Sequence, residues 1–339
     1  MIKIDLKDSQ KQQIEEKLMA FIEHNKIFEK IQKLASYLDV EKFNNTAELL
    51  KKIDLNFFLI FGKQSLQECI DEFEGAILTD VSKNNIKKDK LKLIIANGPK
   101  GKRLPGFHYF YKKFSDSDEA YDILKIINAT VCPYCNRQYT FTVRKGKLKS
   151  RPQFDHYFPK SLFPYLSISV YNLIPSCALC NTGKSKSSPD KILYPYEESF
   201  ESKEIRFKAD NIIPYILRED KDISISLETL ESSNENKADI INAYNNDFKI
   251  KALYELHSDE ARKIIEKKYI FNDEALESIC RSYSDAVYDK KYLKELIFGK
   301  YEVEDFINHP LSKFTSDIFE QISELDLHIL SNASSLKIY

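Results

Sequence analysis

Four cysteines and five polar or charged side chains fall in order between residues 132 and 186. Cys132 and Cys135 form one Cys-x-x-Cys pair, and Cys177 and Cys180 form another. Between them stand the adjacent Asp155 and His156, then Asn172; Asn181 follows the last cysteine directly, and Lys184 comes three residues later. A Cys-x-x-Cys turn brings two sulfurs to one ion, and Zn²⁺ favours four tetrahedral thiolates. The two turns therefore predict a closed, structural Cys₄ zinc site. Such a site contributes roughly 10–16 kcal/mol of apparent binding free energy, enough to fix a small, glycine-poor core. Two disulfides would need an oxidising compartment, to which nothing in the sequence points, and a thioredoxin-like motif would use one pair rather than two. The 41 residues between Cys135 and Cys177 exceed what a minimal ribbon needs, so they are expected to carry a second task.

Those inserted residues resemble the HNH endonuclease motif of the His-Me finger superfamily. Asp155-His156 followed by Pro159 looks like its first-strand signature, and Asn172 matches its middle asparagine. Asn181 takes the third position, which is His in many members and Asn in others. The Asn-x-Gly-Lys run from Asn181 to Lys184 is similar to the Asn-type members, including the HNH domain of RNA-guided nucleases. The four cysteines resemble the zinc-supported subset. The likeness covers about 55 of 339 residues. It implies a ββα-metal finger with Asp155 and His156 on the first strand, Asn172 near the second, and Asn181 at the start of the helix. Zinc would pin that helix to the 132–135 turn.

The resemblance also implies a chemistry, hydrolysis of phosphodiester bonds with 5′-phosphate and 3′-hydroxyl ends. That reaction needs a base for water, a metal for the phosphate charge and help for the departing oxygen. His156 is the candidate general base, because an imidazole titrates near neutral pH. Asp155 and Asn181 offer hard oxygens to one Mg²⁺, with Mn²⁺ as a substitute. Asn172 would hold the loop and the His156 ring in register, and Lys184 would neutralise a phosphate oxygen or the transition-state charge. Singly, each residue has an ordinary use: a hydrogen-bonded histidine, a strand-ending or helix-capping asparagine, a solvated face at Lys184 and Lys186. The ordered set carries the reading.

The rest of the chain must position this stretch. Its 339 residues, 42% hydrophobic and 30% charged, suffice for a core and for two or three structural units. The net charge of −1 hides a basic centre: residues 83–113 hold ten Lys or Arg against Asp89, and residues 137–160 hold seven against Asp155. That distribution suits a polyanion groove. The N-terminus is charged from its first turns, unlike a signal peptide, and no apolar run approaches the ~20 residues needed to span a bilayer. A soluble cytoplasmic protein is expected. Cys69 and Cys280, far apart in sequence, read as buried thiols. No Walker A or glycine-rich phosphate loop is present, which excludes an ATPase within this chain.

The expected fold class is α+β and mostly helical, with a central zinc-supported ββα-metal (His-Me) finger flanked by helical regions. Residues 1–117 form an N-terminal helical region, 118–200 the nuclease core, and 201–339 a small strand pair followed by a helical region. Ile14, Leu18, Phe21 and Ile22 recur at helical spacing, and Asn45 or Thr46 is the expected cap of a helix over 46–50. Segment 97–114 breaks the pattern with glycine, proline and interleaved aromatics, a loop that either grips a phosphate backbone while its rings stack on bases or packs those rings into the core. Residues 138–152 read as a hairpin with a basic tip. Ile205–Lys208 and Ile223–Leu227 read as strands, forming a small hairpin against the finger or an interaction edge. His108, His257, His309 and His328 have no partners at metal spacing and are expected to be structural.

With helices on both sides of a CPYCNR turn and a DHYFPKS strand, the chain looks most like the PtuB-type HNH effectors of Septu-like bacterial anti-phage systems. That resemblance implies nucleic acid as substrate, DNA before RNA, and a separate PtuA-like ATPase as partner. A stand-alone restriction-type HNH endonuclease and a non-catalytic zinc-ribbon binding module are the competing readings.

Overall fold

The computed structural model describes residues 1–146, 148–184, 191–230, 235–283 and 289–325. Eight helices precede Cys132 among them: α1 (Asp8–His24), α2 (Ile27–Val40), α3 (Asn44–Lys51), α4 (Leu55–Phe58), α5 (Lys63–Asn84), α6 (Lys88–Asn97), α7 (Phe107–Ser115) and α8 (Asp118–Ile127). Helical spacing decides what each one buries. Ile14, Leu18, Phe21 and Ile22 of α1 are fully covered, and α1 lies against α8. Ser117 caps α8, its hydroxyl accepting from the amide of Ala120 at 3.2 Å.

The cap of α3 comes from elsewhere in the chain, not from Asn45 or Thr46. The Asp80 carboxylate, on α5, accepts from the backbone N–H of Asn45 (3.1 Å) and of Thr46 (2.7 Å) and from Asn45 Nδ2 (2.6 Å). Asp80 is fully buried. A helix start leaves its first amides unpaired, and here one carboxylate from a packed neighbour satisfies two of them.

Segment 97–114 also differs from its expected form. Only its first part is a loop. Gly98 has φ +81°, and a Cβ there would lie 1.9 Å from the Leu104 carbonyl oxygen, so the loop closes on itself at a glycine. From Phe107 the chain is helical, and Phe107, Phe110 and Phe114 are all fully buried. Their i, i+3, i+7 spacing turns them into the core rather than toward a ligand. Lys112 and Lys113 stay on the outer face.

After the cysteine turn come a basic hairpin, β1 (Val143–Lys145) with β2 (Leu148–Ser150), and an antiparallel pair, β3 (Gln153–His156) with β4 (Leu173–Ser176). The short helix α9 (Ala178–Gly183) follows. Lys147, Lys186, His328 and the exit loop at Pro189 lie outside the described residues. The hairpin's Arg144 pairs with Asp118 at 2.9 Å, so part of its charge is spent within the protein.

The later chain has β5 (Ile205–Asp210), α10 (Ile212–Ile216) and β6 (Ser224–Thr229), with β5 and β6 antiparallel. The helices α11 (Glu235–Phe248), α12 (Ile250–Glu255), α13 (Ser258–Ile270), α14 (Asp273–Ser282), α15 (Lys290–Phe298) and α16 (Ser312–Glu324) follow. The β5 edge is not free. Asp317 of α16 accepts from the Phe207 amide (2.8 Å), and Gln321 exchanges two 2.9 Å hydrogen bonds with the Ala209 backbone. Helix side chains thus satisfy the strand edge that could otherwise pair with another chain. The protein is α+β and mostly helical, and among the described residues no helix is long and apolar enough to cross a membrane.

Asp80→Ala is expected to cost about 1–3 kcal/mol in urea denaturation, with Asp80→Asn, which keeps one acceptor oxygen, losing less. An unchanged midpoint in Asp80→Ala would show that water caps α3 equally well.

Candidate functional site

The Cys132–Cys135 turn and the start of α9 face each other. The four Sγ atoms of Cys132, Cys135, Cys177 and Cys180 all lie within 4.8 Å of one another, and all four residues are buried. Crowded thiols in such a place cannot ionise independently. Hydrogen bonds from Cys132, Cys135 and Cys180 hold Cys177 far below the usual thiol range, and those with Cys132, Cys135 and Cys177, with burial, push Cys180 far above it. A central cation would remove that competition. Four buried sulfurs at this separation fit a structural metal such as zinc. Cys69 and Cys280 are free and half-buried, more open than expected.

The turn is clamped from outside the motif. Asn136 is fully buried at φ +48°, its Nδ2 donating to the carbonyls of Phe306 (3.0 Å) and His309 (3.2 Å), and its Oδ1 accepting from the Lys313 amide (3.0 Å). Tyr254 of α12 donates to the Cys135 carbonyl at 2.7 Å. At the N-terminal end, the Ile2 amide donates to the Pro133 carbonyl at 2.9 Å.

Beside this cluster β3, β4 and α9 bring the candidate residues close. Asn172 precedes β4 and is fully buried; its Oδ1 accepts from the Phe158 amide (2.8 Å) and its Nδ2 donates to the carbonyls of Phe158 (3.1 Å) and Leu166 (3.3 Å). It therefore holds both ends of the loop that follows His156. Gly183 lets α9 approach closely, because a Cβ there would lie 2.7 Å from the Asp247 carbonyl oxygen of α11.

Strand alternation sends the two neighbours Asp155 and His156 to opposite faces. Gln153 and Asp155 face α9: Asn181 Nδ2 donates to Gln153 Oε1 at 2.6 Å, and Lys184 Nζ to Asp155 Oδ2 at 2.6 Å. Phe154 and His156 face α7, against Phe114 and Tyr111 respectively. Burial raises the Asp155 pKa above the ordinary carboxylate value, and Lys184 and Tyr134, whose hydroxyl donates to Oδ2 at 2.7 Å, oppose that rise. Asp155 Oδ1 and Asn181 Oδ1 accept no hydrogen bond among the described residues. Two hard oxygens with free lone pairs are a donor set that fits Mg²⁺.

His156 is 8% exposed, with its ring edge-on to Tyr111 at 4.5 Å. Its Nε2 lies 3.0 Å from the Ser167 carbonyl oxygen. A carbonyl only accepts, so Nε2 carries the proton and the neutral ring keeps its lone pair on Nδ1. Burial, aided by the nearby Lys160 charge, pushes the His156 pKa down to about 3. The imidazole is thus neutral through the neutral range.

Lys184 has a different place from the phosphate contact expected of it. Its side chain is 5% exposed, and Nζ donates to Asp155 Oδ2, to the His156 carbonyl (2.9 Å) and to the Tyr157 carbonyl (3.0 Å). All three ammonium protons are used inside the protein. Tyr134 was not legible as a site residue, although its position between Cys132 and Cys135 was a signal that its side chain is fixed near the cluster. Of the other histidines, His257 accepts from Arg137 Nε at 3.0 Å, and His309 stacks on Tyr301 at 3.5 Å.

Metal analysis of the purified protein should find about one zinc per chain, consistent with one four-sulfur site. Cys132→Ser with Cys135→Ser should lose both the metal and cooperative unfolding; a stable, metal-free double variant would contradict a structural role. A second expectation follows from His156. Its folded pKa lies below the unfolded one, so the unfolded chain binds more protons between them. Stability is complete above pH ~6.5 and falls with pH, by at most about 1.4 kcal/mol per pH unit for this group. His156→Gln should therefore flatten the urea midpoint between pH 7 and 5; parallel profiles would show that the ring stays accessible to protons.

No protein-family model matches the sequence, and no solved structure matches the fold. Over 100 residues the chain is 27% identical to protein ea31 of Escherichia phage lambda, a stretch covering 30% of this chain and 27% of that protein. The chain thus spans well under half the length of that curated relative.

Proposed function

We propose that this protein is a zinc-supported, metal-dependent HNH endonuclease that hydrolyses phosphodiester bonds in nucleic acid. The observation that carries the reading is the joint placement of the ordered motif. Two antiparallel strands and a short helix hold Asp155, His156, Asn172 and Asn181 beside a four-cysteine cluster. Asp155 Oδ1 and Asn181 Oδ1 would hold Mg²⁺, or Mn²⁺ in its place, and the bound ion would neutralise phosphate charge. His156, kept neutral by burial and a weaker base than a free imidazole, would take a proton from the attacking water at Nδ1, while the Nε2 bond to Ser167 fixes the ring and its tautomer. Asn172 keeps the loop behind the ring in one conformation. β3 ends at His156, and the phosphate would sit at that strand end, where its two faces meet.

The basic residues 83–113 lead into α7, the helix lying against His156. Their exposed cations, with Lys160 half-buried beside Tyr111, supply backbone affinity for a polyanion. DNA is the favoured substrate. On the PtuB-type resemblance the nuclease is an anti-phage effector that works with a PtuA-like ATPase, and the helical flanks are its docking surface.

One observation favours a second reading. His156 is nearly buried and faces away from Asp155. A zinc-ribbon binding module would tolerate that arrangement.

The deciding experiment is cleavage of plasmid, single-stranded DNA and total RNA with Mg²⁺ or EDTA, with and without a PtuA-type ATPase, beside His156→Ala. Metal-dependent cleavage is expected, with a loss of roughly 10²–10⁴-fold in the variant. Nucleic-acid binding without cleavage under every condition, or cleavage untouched by His156→Ala, would overturn the proposal.

A further inference from the structure

Asp155 is held by residues outside the motif, and the way it is held divides its two oxygens. Tyr134, between Cys132 and Cys135, is fully buried, and its ring stacks on Phe248 of α11 at 4.8 Å with an interplanar angle of 19°. Its hydroxyl donates to Asp155 Oδ2 at 2.7 Å. Lys184 donates to the same oxygen at 2.6 Å. Neither donor touches Oδ1. The second candidate ligand is treated alike: Gln153 takes the Asn181 amide N–H at 2.6 Å, and no described residue donates to Asn181 Oδ1.

We propose that Tyr134 is a positioning residue for the divalent-metal site. Its hydroxyl, with the Lys184 ammonium, occupies Oδ2 of Asp155 and presents Oδ1 alone to the cation. This rests on the metal-dependent reading of the site given above. The geometry makes Asp155 a one-oxygen ligand with a fixed carboxylate plane. It also couples the two metal sites mechanically. Tyr134 lies two residues from Cys132 and one from Cys135, so the turn that folds around the structural cluster sets where the tyrosine hydroxyl stands. A ligand whose second oxygen is held in this way needs no reorganisation on binding, and loss of such outer contacts weakens metal sites.

Tyr134→Phe removes one oxygen and keeps the ring, the stack on Phe248 and the cysteines. The zinc-loaded protein is titrated with Mn²⁺ and followed by electron paramagnetic resonance without nucleic acid. Mn²⁺ affinity should fall roughly 10–100-fold in Tyr134→Phe, with zinc content unchanged. In cleavage assays the Mg²⁺ concentration for half-maximal rate should rise by the same factor, and saturating Mg²⁺ should restore most of the rate. Tyr254→Phe is the control, because it removes a hydroxyl that holds the same turn through the Cys135 carbonyl but does not reach Asp155. It should leave Mn²⁺ affinity unaltered. If Tyr134→Phe does not fold, Phe248→Leu removes the ring on which Tyr134 stacks, leaves the charges of the site unchanged and is read in the same way. Unchanged Mn²⁺ affinity in the folded variant, or an equal loss in Tyr254→Phe, overturns the positioning role while the wild type still cleaves. A wild type that neither binds Mn²⁺ nor cleaves overturns the nuclease reading, and this inference falls with it.

Discussion

The tight turn from Cys132 to Asn136 is the constraint on which the rest depends. Its sulfurs meet those of α9, and its remaining polar groups are shared among segments distant in sequence. The Ile2 amide reaches the Pro133 carbonyl, Tyr254 reaches the Cys135 carbonyl, and Asn136 bonds the backbone around residues 306–313. Buried polar groups in a low-dielectric interior are costly when unpaired, so each of these contacts depends on the turn keeping one shape. A cation among the four thiols would supply that rigidity more cheaply than apolar packing could, in a chain with eight glycines and no tryptophan. The flanking helices are therefore part of the metal site's support, as much as the metal site is part of theirs.

The parts legible in the sequence were those fixed by local spacing. Two Cys-x-x-Cys pairs announced a four-sulfur cluster, and the cluster is present and buried. Ile14, Leu18, Phe21 and Ile22 announced a buried helix face, and the alternating stretches near 205 and 225 announced strands. Long-range satisfaction was not legible. No local pattern links Asp80 to the start of α3, 34 residues away for its closest bond to Thr46, or Gln321 to Ala209. Each is a side chain answering a backbone group that secondary structure leaves open. The aromatics of 107–114 were left between two readings for a related reason. A short basic stretch rich in Phe and Tyr fits a ligand-stacking loop and an amphipathic helix equally well, and burial of Phe107, Phe110 and Phe114 settles it as a helix.

Within the candidate site, motif positions were legible and their directions were not. Adjacent residues on a strand diverge, so Asp155 and His156 serve different faces, and the identity of what lies on each face comes from α9 and α7. Lys184 shows the same limit. Its place three residues after Asn181 suits a phosphate contact, but a lysine can fold its stem back over α9 and spend its charge on a buried carboxylate.

That inward lysine changes the charge balance of the groove. Asp155 is a buried acid, and with Lys184 beside it the pair is neutral to first order, at the expense of desolvating both groups. Such a pair is a weak source of stability, and its use lies in specificity of position. It holds the carboxylate still and removes one positive charge from those facing a substrate. On the proposed function, attraction for a polyanion must then come from cations that remain outside, such as the exposed lysines and arginine of α7 and the loop before it. On the proposed function the protein therefore separates grip from chemistry. The α7 face gathers the phosphate backbone and carries the neutral imidazole, while the α9 face carries the oxygen ligands. The end of β3, where the Lys184 ammonium ties the carbonyls of His156 and Tyr157, fixes the relation between the two.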